Sequence, residues 1–178
     1  MDKKTFKNTL YKVAKMLDAA KIDYMLSGSG AGQFYGLTRN PNDLDIYFRK
    51  KDLAKVERVF KPYVKRKLRW YKDKFFNEYI MFCVMDGIEM DICMADEGFY
   101  NSYITAKKES TVKYYYKPVP IKLRDIEVRV QSLEALIRYK DSNRVEFAVH
   151  QGADVQELRR AAAKKILKEI DKLFKTLF

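Results

Sequence analysis

The segment MLSGSGAGQFYGLTRNPNDLDIYF, residues 25–48, holds four of the chain's seven glycines, Gly28, Gly30, Gly32 and Gly36. It closes on Asp43-Leu44-Asp45, followed by Ile46, Tyr47 and Phe48. In front of the glycines, Ile22 to Leu26 reads as a short buried strand, and the run from Asp43 to Phe48 reads as a second. Between them, residues 30–36 have room for one or two helical turns, and Pro41-Asn42 marks the loop that leads back into the sheet. Side chains two apart on a strand share a face, so Asp43 and Asp45 project together. Two half-buried anions on one face repel each other, and a hard divalent cation relieves that repulsion. The glycines address a different need. A strand that ends in a Gly-Ser turn and opens a helix lets backbone N–H groups come close to a phosphate, with the Ser29 hydroxyl as a further donor. A phosphate cradle at Gly28-Ser29 followed by an acidic pair points to one ligand, a nucleoside triphosphate with Mg2+.

Further along, FFNEYIMFCVMDGIEMDICM (residues 75–94) places two apolar runs on either side of Asp86-Gly87. That dipeptide supplies the positive φ angles of a two-residue type I′ hairpin. With that turn, Met85 pairs with Ile88 and Phe82 lies opposite Asp91. Ile88, Met90 and Ile92 then face one way and Glu89, Asp91 and Cys93 the other. A carboxylate midway along an otherwise apolar strand is the third member of a set, Asp43, Asp45 and Asp91, able to hold two metal ions.

Strand, Gly28-Ser29, short helix, Asp43-Leu44-Asp45 and a later Asp91, in that order, resemble the DNA polymerase β-type nucleotidyltransferase superfamily. Residues 27–48 are similar to its small prokaryotic members, the lincosamide-type antibiotic nucleotidyltransferases and the minimal nucleotidyltransferases of toxin–antitoxin systems. The resemblance covers roughly residues 5–95. It implies an α+β fold, a polymerase β-like mixed sheet flanked by helices, with a small C-terminal helical segment. It also implies Mg2+-dependent transfer of a nucleoside monophosphate from a triphosphate to a hydroxyl, with release of pyrophosphate. One ion would be held by all three aspartates and a second by Asp43 and Asp45, with Asp91 as a candidate general base. Gly36-Leu37-Thr38-Arg39 is similar to a Gly-x-x-Arg element that commonly precedes the acidic pair in such proteins; Arg39 either touches a phosphate or pairs with Asp43. Lys140 matches a helical lysine near the nucleotide, against the plain alternative of a helix-surface lysine.

The rest of the chain fills in the frame. Phe6, Leu10, Val13 and Leu17 recur at helical spacing, as do Leu53, Val56, Val59 and Phe60. TVKYYYKPVPIKL (residues 111–123) and IEVRV (126–130) read as extended. Ser132 is an N-cap candidate, and Asp154 with Glu157 opens a long final helix. These divide the chain into a nucleotidyltransferase core, residues 1–125, and a C-terminal helical segment, residues 126–178.

A net charge of +12 on 178 residues favours an anionic ligand or partner. The basic run from Arg49 to Lys74, with Trp70 and Tyr71 inside it, is either a nucleic-acid surface or a solvated helix followed by a lysine-guarded edge strand. The acceptor is therefore open among RNA, a small molecule and a protein side chain, and the charge tilts it toward RNA. With one histidine, His150, no His-based catalytic pair is available. Cys83 and Cys93 have no metal-type spacing, and Cys83 is expected in the core. No apolar run is long enough to span a bilayer and no signal peptide is evident, so a cytoplasmic protein is expected. A homodimer that completes the cleft is compatible with the short C-terminal segment. The alternative to an enzyme is a binding module of the same fold with weak turnover, antitoxin-like or RNA-binding.

Overall fold

The computed structural model describes residues 3–36, 41–72, 77–95, 116–133 and 135–136. Seven strands form one mixed sheet: β1 (Tyr24–Leu26), β2 (Leu44–Phe48), β3 (Val64–Lys72), β4 (Asn77–Met85), β5 (Ile88–Met94), β6 (Pro118–Leu123) and β7 (Ile126–Gln131). Their order across the sheet is β3-β4-β5-β2-β1-β7-β6. β5 runs parallel to β2 and β7 parallel to β1, while the other neighbours are antiparallel. Among the described residues the helices α1 (Lys3–Ala19), α2 (Gly28–Gly32) and α3 (Leu53–Phe60) accompany the sheet. Among the described residues no helix is long and apolar enough to cross a membrane.

Period-two patterning sorts the strands into two faces. Tyr24 and Leu26, Leu44, Ile46 and Phe48, and Met90 and Ile92 point to one side, where Phe6, Leu10 and Leu17 of α1 and Val56 and Phe60 of α3 pack against them. The opposite face carries Asp45, Asp91 and a smaller apolar cluster of Met25, Tyr47, Ile80, Cys93, Ala95 and Tyr116. The amphipathic spacing in α1 and α3 therefore builds the layer on the side away from the acids.

The hairpin forms as its dipeptide requires. Asp86 and Gly87 have φ of 53° and 77°, Met85 pairs with Ile88, and Phe82 lies opposite Asp91. Other boundaries differ from expectation. β1 starts at Tyr24 rather than Ile22, because Lys21 takes a positive φ of 52° and the Ile22 N–H closes back onto the Leu17 carbonyl at 3.0 Å. α2 starts at Gly28, two residues before the expected turn, since the Ala31 N–H already bonds to the Ser27 carbonyl at 3.0 Å. Residues 126–131, expected in the C-terminal segment, form β7 inside the core sheet between β1 and β6. Ser132 does open a helical turn, accepting the Ala135 N–H on its Oγ at 3.3 Å. The expected final helix from Asp154 lies outside the described residues.

Candidate active site

Asp45 and Asp91 are direct register partners on the parallel pair β2–β5. Asp43 lies just ahead of β2 on the same side, and each of the three offers a carboxylate oxygen within 4.8 Å of the others. None of the three is fully buried. Burial first, then the negative charges of Asp43 and Glu89, push the Asp91 carboxyl up from 3.8 to about 6. A carboxyl raised by burial and by like-charged neighbours, within a cluster of three acids, is a candidate site for positive charge.

Gly28 abuts this cluster directly. Its φ is +62°, and a Cβ there would lie 2.6 Å from Asp45 Cγ and overlap Oδ2. Two constraints thus require glycine at one position, left-handed backbone and a carboxylate in the space of a side chain. The Ser27 N–H donates to the Asp45 carbonyl at 2.8 Å, which ties the turn to the acidic strand. Ser29, in the first turn of α2, is only 8% exposed.

Two buried polar residues support the turn and carry no signal in the sequence. The Ser27 hydroxyl donates to Gln131 Oε1 at 2.7 Å, with both residues fully buried. The Tyr35 hydroxyl donates to the Gln131 carbonyl at 2.9 Å. The end of β7 therefore holds both ends of the α2 segment, a link across 104 residues that only the β1–β7 pairing creates.

The remaining candidates divide. Arg39 and Lys140 lie outside the described residues. Cys83 is core-facing, and burial together with the Asp91 charge pushes its thiol up to about 12. Cys93 is buried on the acid face, in register with Tyr47. Of the three tyrosines 114–116, Tyr116 is packed: its hydroxyl donates to Asp23 Oδ1 at 3.3 Å and the Arg49 guanidinium stacks on its ring at 3.9 Å. The basic run becomes a 3-10 turn (Lys50–Asp52), α3, a second such turn and the edge strand β3. Trp70 on that strand is 39% exposed and meets Tyr79 edge-on.

Comparison with known proteins agrees with this geometry. A search of curated protein sequences gave no match. A nucleotidyltransferase-assigned protein of Thermotoga maritima superposes with a TM-score of 0.66 at 21% identity, over 85% of this chain and 92% of that one. A nucleotidyltransferase-like antigen of Paracoccidioides brasiliensis gives 0.56 at 12% identity, over 99% and 88%. The enzyme ANT(2'')-Ia bound to adenylyl-2''-tobramycin gives 0.52 at 14% identity, over 97% and 98%. At these identities the likeness is one of fold. The family model for aminoglycoside-2''-adenylyltransferase, in contrast, matches the sequence itself over residues 9–166. Acidic trio, glycine turn and mixed sheet thus sit in a chain that belongs to the aminoglycoside-2''-adenylyltransferase family, and so among the polymerase β-like nucleotidyltransferases.

Proposed function

We propose that this transferase moves a nucleoside monophosphate from a Mg2+-bound nucleoside triphosphate to a hydroxyl acceptor and releases pyrophosphate. The observation that carries the proposal is the convergence of Asp43, Asp45 and Asp91 with the side-chain-free edge of Gly28. The all-oxygen donor set within 4.8 Å suits a hard divalent cation shared with phosphate oxygens. Such a cation, bound there, would supply Lewis-acid polarisation of the α-phosphate and neutralise charge on the departing pyrophosphate.

The chain's own residues do the rest. Gly28, lacking a side chain, leaves the room that the Asp45 carboxylate occupies, so the backbone of the turn lies directly against the acidic cluster that would meet the phosphates. Ser27, held by Gln131, keeps that turn fixed against β2. The acceptor oxygen forms a bond to the α-phosphorus as the bond from that phosphorus to the β-bridging oxygen breaks, and the pair of electrons leaves with pyrophosphate. Asp91, the third carboxylate of the cluster, is the proposed general base for the hydroxyl proton. Arg39 is proposed as a further phosphate contact and Lys140 as a residue near the nucleotide, both on the resemblance alone.

The test is incubation of pure protein with Mg2+ and each α-labelled nucleoside triphosphate, with and without total tRNA, beside the Asp43→Ala/Asp45→Ala variant. Label on RNA, protein or a small acceptor, lost in the variant, supports transfer. Loss of metal-ligand stabilisation worth ~4 kcal/mol corresponds to at least about a thousandfold drop for Asp45→Ala alone. Labelling that survives Asp45→Ala overturns the assignment. RNA binding without triphosphate binding, unchanged when both aspartates are removed, points to a binding module.

A further inference from the structure

The register of the sheet lays out a row of side chains on the acid face. Asp45 is paired with Asp91, Asp91 with Phe82, and Phe82 with Arg66 on the edge strand β3. One step along, Tyr47, Cys93, Ile80 and Arg69 form a second row. Moving outward from the carboxylates, one therefore meets apolar and aromatic side chains and then two arginines. The Arg66 guanidinium lies 4.8 Å from the centroid of the Phe82 ring, and Tyr71 meets the same ring edge-on at 6.2 Å. Two strand spacings set the Arg66 backbone about 10 Å from that of Asp91. Phe82 and Tyr71 are half-buried, while Arg66 and Arg69 are exposed. Among the described residues neither arginine takes part in an ion pair. Glu89, the other acid on this face of β5, sits toward the hairpin turn and is exposed.

On the nucleotidyl-transfer reading, the glycine turn that would face the donor lies on the opposite side of the carboxylates. Gly28 and α2 adjoin Asp45 from the β1–β2 side, and β1 and β3 lie on opposite flanks of β2 in the strand order. An in-line displacement brings the attacking hydroxyl in from the side opposite the departing pyrophosphate. With pyrophosphate toward Gly28, the acceptor comes across β5, β4 and β3. We infer that Phe82, Tyr71, Arg66 and Arg69 form the acceptor shelf, and that the acceptor carries a phosphate and a nucleobase: a nucleotide, free or at the end of an RNA strand. The inference rests on the nucleotidyl-transfer reading of the same site. Bases stack on aromatic rings in a sequence-tolerant way, and guanidinium groups pair with phosphate oxygens. An aminoglycoside, with several protonated amines, would meet like charge on this shelf.

The test measures binding of a fluorescent single-stranded RNA of about twelve nucleotides with a free 3′ hydroxyl, its competition by AMP, and MgATP binding, all on the full chain. Arg66→Glu/Arg69→Glu is compared with Lys7→Glu/Lys61→Glu, an equal charge change at two exposed lysines away from the acid face. The shelf variant is expected to bind RNA at least about tenfold more weakly and to lower the slope of log affinity against log salt by about 1.4, two phosphates' worth for a single strand. Phe82→Leu is expected to weaken RNA about tenfold with the slope unchanged. MgATP affinity stays at the wild-type level in all three. Tight RNA with weak AMP identifies a strand end, and AMP competing at similar concentration identifies a free nucleotide; both support the shelf. Equal weakening by the two double variants shows a diffuse attraction and overturns it. Wild-type protein that binds MgATP but neither RNA nor AMP also overturns it, leaving nucleotidyl transfer untouched. Absent MgATP binding removes the reading beneath it and the shelf as well.

Discussion

Asp91→Asn should make the metal-free protein more stable while disabling the site. Asp91 ionises in a half-buried place beside Asp43 and Glu89, and its carboxyl is pushed from 3.8 to about 6. Because the folded value lies above the unfolded one, the folded state holds its proton more tightly. The associated stability is fully present below about 3.8 and is lost as pH rises through about 6. At about 1.4 kcal/mol per pKa unit the full difference is about 3 kcal/mol. Partial exposure and solvent screening reduce it to roughly 1–2 kcal/mol. Asparagine reproduces the neutral carboxyl at nearly the same volume, so the variant escapes this penalty. For a chain of this size a gain of that order raises Tm by about 3–6 °C.

The assay is a thermal melt of wild type and variant in EDTA near pH 4 and about pH 7.5, repeated at the higher pH with millimolar Mg2+. The variant should gain little near pH 4 and its full increment at the higher pH. Added Mg2+ should then raise the wild type more than the variant, because a ligand stabilises only what binds it. A variant less stable than wild type at neutral pH in EDTA would refute the account of Asp91 as a strained anion. So would a gain of equal size at both pH values, since no titration would then lie behind it.

Gly28→Ala places a methyl group on the Asp45 carboxylate at a φ of +62°; it should cost at least ~1–3 kcal/mol and weaken metal-dependent triphosphate binding, and a melt at wild-type Tm with normal binding would contradict this. Gln131→Leu strands the buried Ser27 hydroxyl, which now donates at 2.7 Å; a loss of about 1–3 kcal/mol is expected in urea titration, and Ser27→Ala in the same chain should return part of it. Cys83, buried with its thiol pushed up to about 12, should react with an aromatic disulfide reagent only on unfolding; rapid labelling in native buffer would show that the strand opens.

Local chemistry explains which parts of this structure are legible in the sequence. The Asp86-Gly87 turn needs two positive φ angles, and once it is set, period-two alternation alone puts Asp91 on the side opposite Met90 and Ile92. Asp43 and Asp45 share a face for the same reason. That these two faces coincide depends on β2 pairing in parallel with β5, and no turn connects strands whose partners, Asp45 and Asp91, are so far apart in the chain. The resemblance to a known fold supplies that pairing where periodicity cannot. β7 shows the limit more sharply. Its residues alternate as any strand does, yet their insertion beside β1, and with it the Ser27–Gln131 bond, appears only when the sheet is assembled. The basic run is ambiguous for a different reason. Lysine and arginine suit an edge strand and a polyanion surface equally, and Arg66 is told apart from its neighbours only by the ring it lies over.

The abundance of glycine in residues 28–36 then divides into separate causes. Gly36 closes the short helical segment in left-handed backbone, at φ 85°. Gly30 sits against Phe6 and Leu26, where an added Cβ would come within 3.1 Å and 3.3 Å, so it serves the packing of α1 on the core. Gly28 faces the acids. A carboxylate occupying the volume of a missing side chain cannot withdraw from its neighbours Asp43 and Asp91 toward β1, because the backbone fastened by Ser27 is already there. The crowding of the three carboxylates is therefore built in by packing, and that same packing is what equips them to receive a cation.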